Sequence, residues 1–217
     1  VTGVQTCALP IYKYKMRTKT LLIAAVLGAV GIATASAQVT SVNAVGYVNK
    51  SLDAGLSLVA NPLSNGGNTI SEVIPSAPIG TNVFLFDASA GFTVTTFLGV
   101  WSDDLTLPVG GGFYIQLPEA ATLTFVGEVL QGDATNKSVP AGLSIQGSTV
   151  PQAGGLTTVL GFPGAVGDIA YSFDGTAFAA DTFLGVWAPN EPNLSVGGAV
   201  FIDKTEAGNW DRNFAIN

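Results

Sequence analysis

The chain has 217 residues, of which 47% are hydrophobic and only 11% are charged. Fifteen acidic residues stand against eight basic ones, and a formal net charge of −7 disfavours binding to nucleic acid or anionic lipid, which requires clustered Lys and Arg. Histidine is absent and the one cysteine is Cys7, so residues 8–217 offer neither Ser–His–Asp nor Cys–His catalysis, nor an ordinary zinc, copper or haem site.

The first 37 residues are typical of processing segments. Residues 1–15 resemble a translated sequencing adapter followed by upstream sequence, and we treat them as non-native. From Met16, "MRTKTLLIAAVLGAVGIATASA" has a basic start, an apolar run and an A-x-A cleavage site, which predicts a signal peptide over residues 16–37. The apolar run is shorter than the roughly 20 residues of a membrane span, which favours the signal peptide over the alternative of a retained anchor.

Short alternating runs rich in Val, Phe, Thr and Leu follow, separated by Gly, Pro, Asn and Asp. Examples are "VFLFD" at 83–87, "FTVTTF" at 92–97, "FYIQL" at 113–117 and "LTFVGEV" at 123–129. Alternation with period two over four to eight residues predicts strands. Residues 69–73, where "TISE" has capping-box spacing, predict one short helical turn, and residues 156–160 predict its counterpart.

The motifs of the first part of the chain recur in the same order in the second part. The matching pairs are "AGLSL" at 54–58 with "AGLSI" at 141–145, "TFLGVW" at 96–101 and again at 182–187, and "VGGGFYI" at 109–115 with "VGGAVFI" at 196–202. Recurrence in constant order indicates that one structural unit was copied.

The strands and the repetition together predict an all-β protein of two tandem homologous modules. Each module is expected to be a β-sandwich or a small barrel with short helical turns, over residues 38–130 and 141–217. Residues 131–140, "QGDATNKSVP", are polar and predict the linker between them.

The first copy also resembles a bacterial surface module. "GLSLVANPL" at 55–63, "FLFDASAGF" at 84–92, Trp101 and "LPVGGGFYIQ" at 107–116 look in order like the pattern G-x-N-L-x-S-x-P…L-x-P-G-x-G-aromatic. The second copy departs from it, since "GLSIQGSTV" lacks the Asn-Pro pair and Ala199 replaces a glycine. The whole exported chain is similar to uncharacterised, Verrucomicrobia-like secreted tandem β-repeat proteins. This resemblance implies export and a β fold, and it implies no particular reaction.

Three aromatic residues are candidates for ligand binding. Trp101 and Trp187 end the two "TFLGVW" copies, and an aromatic platform of these indoles, extended by Tyr114, would suit the stacking of sugar rings. The alternative is that the tryptophans pack in the core, where large aromatic side chains are most often found.

Four carboxylates are candidates for calcium binding, because calcium takes oxygen ligands from loops. Asp87 and Asp174 occupy matching turns, and Asp103 and Asp104 follow Trp101, but no segment has the spacing of a known calcium loop. Capping of turns is the alternative for Asp87 and Asp174. Asp103 and Asp104 are also the obvious pair for a glycoside hydrolase, and the second copy has no matching pair. No other cofactor is expected.

These observations favour a non-enzymatic structural or adhesion protein of the bacterial cell envelope or extracellular matrix, secreted or at the cell surface. The expected partners are further copies joined at strand edges, envelope or matrix components, or glycans, with no nucleic acid and no transmembrane segment in the exported chain. A carbohydrate-binding protein that uses Trp101 and Trp187 is the alternative hypothesis. A carboxylate-based glycoside hydrolase is the third.

Overall fold

The computed structural model describes residues 44–216, so the adapter-like and signal-peptide segments lie outside the described residues. The all-β prediction is confirmed. In this part of the chain fifteen strands form antiparallel sheets, accompanied by one short helix, α1 (Ile70–Val73), and one 3-10 turn (Asp133–Thr135). Among the same residues no helix combines the length and hydrophobicity that crossing a membrane requires.

The first half, which we define as residues 45–128, contains a sheet and a two-stranded ribbon. Its strands are β1 (Val45–Leu52), β2 (Gly55–Ala60), β3 (Asn82–Asp87), β4 (Gly91–Thr96), β5 (Gly112–Leu117) and β6 (Ala121–Glu128). The sheet has the order β2-β5-β3-β4, and β1 pairs with β6 from Val45 opposite Glu128 to Leu52 opposite Ala121.

The second half, residues 137–210, has the same strand order. Its strands are β7 (Lys137–Val139), β8 (Gly142–Gly147), β9 (Gly154–Gly155), β10 (Ile169–Phe173), β11 (Phe178–Phe183), β12 (Trp187–Ala188), β13 (Asn193–Leu194), β14 (Ala199–Lys204) and β15 (Gly208–Trp210). The order β8-β14-β10-β11 corresponds to β2-β5-β3-β4, with β12 added at the edge. Strand β7 pairs with β15, and β9 pairs with β13. Residues 131–140, predicted as a linker, contain the 3-10 turn and β7.

The two predicted helical turns differ in outcome. Helix α1 forms as the capping-box spacing predicts, and the Thr69 N–H donates to the Glu72 carboxylate at 3.1 Å. Residues 156–160 form only a hydrogen-bonded turn, so the predicted helical counterpart is wrong. The N–H groups of Val159 and Leu160 both donate to the Gly155 carbonyl, at 3.1 and 2.9 Å. In an α-helix each N–H donates to a different carbonyl, four residues earlier, and this regular pattern does not form here.

Each sheet has one face buried against its own half. In the first half, Phe113 and Ile115 on β5 pack with Phe125 on β6. In the second half, Ile202 on β14 packs with Trp210 on β15. Side chains alternate along a strand, so the neighbours of these residues on β5 and β14, Tyr114 and Phe201, point to the opposite face of each sheet.

Those opposite faces meet each other. Leu58, Ala60, Tyr114, Ile145, Ala199 and Phe201 form one buried cluster to which both sheets contribute. The Ala60 N–H donates to the Gly197 carbonyl at 3.0 Å, and the Gly147 N–H donates to the Gly110 carbonyl at 2.9 Å. Because 60 matches 147 and 110 matches 197 in the repeat, the halves exchange equivalent bonds, as two subunits do about a two-fold axis. The described residues, 44–216, accordingly belong to one compact unit.

Small residues make this close approach possible. A Cβ on Gly147 would overlap the Cβ of Ala60, its counterpart in the other half. A Cβ on Gly112 would overlap Cγ2 of Ile145 and lie 3.0 Å from the Cβ of its counterpart Ala199. At both pairs of equivalent positions one half has Ala and the other has Gly. We call these two pairs of positions the crossing points of the sheets. Each crossing point has room for the methyl group that is present and not for a second one.

We expect Gly147→Ala to destabilise the protein by about 1–3 kcal/mol, the usual range for an overpacked core. The second methyl has to push the two sheets apart, because the first methyl, on Ala60, already fills the space. Urea unfolding measures the change as a lower midpoint.

The control is the double variant Ala60→Gly/Gly147→Ala, which moves the methyl group across the crossing point without adding one. It should recover part of the lost stability, because the overlap with Ala60 is removed while the new methyl group still lies 2.8 Å from the Gly198 carbonyl oxygen. A Gly147→Ala single variant as stable as the wild type would contradict the account of this contact.

Candidate functional site

The repeated "TFLGVW" segment forms the same tight turn in both halves. In the first, the rings of Phe97 and Trp101 pack edge to face with centroids 5.2 Å apart, and in the second Phe183 and Trp187 do the same at 5.2 Å. The aromatic residues at the base of each turn point inward. The Leu-Gly-Val between them forms the end of the turn.

Both predicted platform tryptophans are buried. Trp101 is 9% exposed and its indole N–H donates to the Ile74 carbonyl at 2.7 Å. Trp187 is 7% exposed and its N–H donates to the Thr157 hydroxyl at 2.8 Å. This placement supports the packing role that the sequence also allowed, and it leaves no open indole face for a sugar ring.

The apolar side chains between the aromatic residues are exposed. We call residues 98–100 and 184–186 the apolar tips. Leu98 and Val100 are 67% and 74% exposed, and Leu184 and Val186 are 64% and 72% exposed. Nothing in the core of the described residues therefore requires Leu or Val at these positions.

Asp87 and Asp174 cap their own turns. The Asp87 carboxylate accepts bonds from the backbone and hydroxyl of Ser89 at 2.9 and 2.6 Å and from the Ala90 N–H at 2.9 Å. Asp174 accepts three bonds of 2.8 Å from Thr176 and Ala177. The bond from the Ser89 hydroxyl is the main cause that lowers the pKa of Asp87, and the bond from the Ala177 N–H is the main cause for Asp174. The geometry is that of turn capping.

Asp103 and Asp104 have separate partners. Asp104 accepts bonds from the hydroxyl and backbone N–H of Ser71 at 2.6 and 3.0 Å, which lower its pKa and tie its loop to the first turn of α1. The Asp103 carboxylate accepts a bond of 3.3 Å from the Ser102 hydroxyl. Within residues 44–216 no group of three or more His, Cys, Asp or Glu side chains converges as a metal site would need.

Tyr114 lies where the two sheets face each other. Its side chain is 6% exposed, and its ring packs edge to face with Phe173 at 5.8 Å and against Phe201 at 5.7 Å. Burial raises the pKa of Tyr114 to about 12, so the hydroxyl stays neutral over the physiological range. This predicted ligand residue thus belongs to the contact between the halves, apart from both tryptophans.

Beside Tyr114 lies an open cavity of about 470 Å³ that is lined by residues of both sheets, and we call it the inter-sheet groove. Its walls include Leu56, Phe84, Phe92 and Tyr114 from the first sheet, and Phe178 and Phe201 from the second. A second hollow of about 460 Å³ shares Phe178 and Phe201 with the groove and adds Tyr171 and Asp203.

Sequence reasoning missed the groove, although a signal for it exists. In "VFLFD" all of Val83, Phe84, Leu85 and Phe86 are apolar, and "AVFI" on β14 is apolar throughout. Strands that are apolar on both faces are expected where both faces are covered. The continuous apolar runs therefore indicate that each sheet has a second covered face. Strict alternation would indicate only one.

Two lysines at equivalent positions reach from one half into the other. Lys137 donates to the Gly110 carbonyl at 2.6 Å and to Gln146 Oε1 and the Gly147 carbonyl at 2.8 Å, and burial lowers its pKa to about 7. Lys50 donates to the Ser195 hydroxyl at 2.9 Å and the Val196 carbonyl at 3.2 Å, and burial lowers its pKa. Each lysine therefore fastens the turn before β5 or β14 of the other half.

No protein-family model, no curated protein and no solved structure matches the chain. Its function therefore has to be inferred from its own contacts. Features that neither turn geometry nor core packing explains include the apolar tips and the inter-sheet groove.

Lys137 should make stability depend on pH. Its pKa is about 7 in the folded protein and 10.5 for a free lysine, so between these values the unfolded chain binds more protons than the folded protein. The free energy of unfolding should therefore gain a contribution that grows from about pH 7 towards pH 10.5. Relative to Lys137→Met, the wild type should become steadily more stable over this range in denaturant titrations. Equal pH dependence of the two proteins would contradict the assignment.

Proposed function

We propose that this protein is a secreted, non-enzymatic structural or adhesion component of a bacterial cell envelope or extracellular matrix, and that it associates with further copies of itself. The observation that carries the proposal is the display of two identical apolar tips on one compact unit. The signal-peptide pattern of the sequence supports the compartment.

The chemistry of the tips supports a role in contact. Each turn closes through a backbone bond, Leu98 N–H to the Val100 carbonyl at 2.9 Å and Leu184 N–H to the Val186 carbonyl at 2.8 Å. These bonds do not depend on the side chains, and polar residues are the usual choice at such turns. Contiguous exposed apolar surface is typical of surfaces that meet a partner, and each tip exposes a Leu and a Val two residues apart.

Duplication gives the molecule two equivalent points of contact. Since both tips have the same sequence and the same buried Phe–Trp pair behind them, a partner that fits one tip also fits the other. A tip of another copy is such a partner, and two contacts per molecule allow copies to join in a row. Each contact is small and weak alone, so association should require a high protein concentration.

The charges of the molecule set the conditions for association. Fifteen acidic residues make copies repel one another at low ionic strength, whereas the contact itself is apolar. Association should therefore strengthen as salt screens the repulsion. The candidate carboxylates also support a non-enzymatic role, since Asp87, Asp174 and Asp104 are engaged in their own loops.

Sedimentation velocity at rising protein and salt concentration tests the proposal with graded variants. The wild type should form species of increasing size. The variant Leu98→Ser/Val100→Ser keeps one tip and should stop at dimers, and further Leu184→Ser/Val186→Ser substitutions should leave only monomers. Because these side chains are exposed, the variants should keep the wild-type unfolding midpoint.

The matched control is Val45→Ser, which removes a 71% exposed apolar side chain on β1, outside the tips, and should leave association unchanged. A wild type that stays monomeric at high protein and salt concentration would contradict the proposal. So would a variant without tips that associates like the wild type.

A further inference from the structure

The inter-sheet groove has the features of a binding site for a small ligand. Its volume of about 470 Å³ falls within the range of cavities that hold small organic molecules, roughly 300–1,000 Å³. Its walls are apolar and come from both sheets. At its mouth Phe92 and Phe178 are 50% and 51% exposed, so a ligand would cover aromatic surface that now faces water.

A carboxylate stands at one end of this apolar surface. Asp203 follows Phe201 by two residues on β14, so its side chain lies on the groove side of the sheet, and both residues line the adjoining hollow with Tyr171. Its counterpart in the first half is Gln116, which accepts a bond of 3.4 Å from Asn82. The apolar walls are thus similar in the two halves, while this polar position carries a charge in only one.

The described part of the chain supplies no cation to Asp203. Its basic side chains are engaged elsewhere: Lys204 with Asp168 at 2.6 Å, Arg212 with the Val159 carbonyl at 2.8 Å, and Lys50 and Lys137 at the turns of the opposite half. The ion pair of Lys204 is the single salt bridge found among these residues. A carboxylate beside aromatic rings, without a cation of its own, is complementary to a positively charged group from outside.

We propose that the inter-sheet groove binds a small amphipathic cation, an organic amine with an aromatic or alkyl body. The ammonium group pairs with the Asp203 carboxylate, and the body packs on Phe178, Phe201 and the facing aromatic residues of the first sheet. An ammonium group next to aromatic faces is further stabilised by cation–π attraction. The acidic surface of the chain favours the approach of a cation and disfavours an anion of the same shape.

Three probes of equal length separate the charge from the apolar body: 4-phenylbutylamine, the neutral 4-phenylbutanol and the anionic 4-phenylbutyrate. Their dissociation constants are measured by titrating the amide spectrum of the isotope-labelled protein. The amine should bind about three- to fivefold more tightly than the alcohol at low salt, the range for an exposed ion pair, and the butyrate most weakly. The preference should shrink at high salt.

Asp203→Asn should abolish the preference for the amine and leave the affinity for the alcohol unchanged. Glu206→Gln removes the same charge three residues along the chain, outside the lining of both the groove and the adjoining hollow, and should keep the preference. Phe178→Ser should weaken the binding of all three probes, and the exposure of this ring makes the variant compatible with folding.

Equal affinity for the amine and the alcohol, or a preference that survives Asp203→Asn, would overturn the proposal. Shifts confined to amides remote from β10, β11 and β14 would also overturn it, as would a groove that takes up none of the probes. If the groove is instead filled by an apolar tip of another copy, the probes compete with self-association and show no preference for charge, which equally contradicts the cation site.

Discussion

The packing of one sheet on the other is the contact on which the rest of the structure depends. Tyr114 and Phe201 occupy equivalent positions and lie 5.7 Å apart across it, and the backbone bonds from Ala60 and Gly147 close it on either side. The close approach is possible only because Gly faces Ala at the crossing points. Beside this contact lies the inter-sheet groove, lined by residues of both sheets.

The duplicated framework allows the halves to differ locally. Leu117 and Thr81 are both buried in the first half, and their counterparts Lys204 and Asp168 form a buried ion pair in the second. This pair is fully engaged, because Lys204 also donates to the Pro163 carbonyl and Asp168 accepts bonds from Ala165 and Thr205. Gln116 and Asp203 differ in the same way on the other face of the sheets. Positions that are equivalent in the two sheets thus carry charged side chains in the second half and uncharged side chains in the first.

Much of the fold was predictable because local chemistry decides it. Alternation predicted the strands, the capping-box spacing predicted α1, and the turns at Asp87 and Asp174 were expected from their sequence. The candidate site was less predictable. Alternation indicates that a face is apolar but not what covers it, so the burial of Trp101 and the place of Tyr114 between the sheets required the tertiary structure. In "TFLGVW" all four large residues are apolar, so the sequence does not indicate that the Leu and the Val face water while the Phe and the Trp are buried.

We expect the two halves to unfold as one cooperative unit, because their sheets pack against each other. Hydrogen exchange in increasing denaturant tests it most directly, because it gives the free energy of opening for each strand separately. The account predicts that the amides of β5 and β14, each the centre of its own half, share one opening free energy and lose protection together. Loss of protection in β14 at a clearly lower denaturant concentration than in β5, or the reverse, would show two independent domains and contradict the claim.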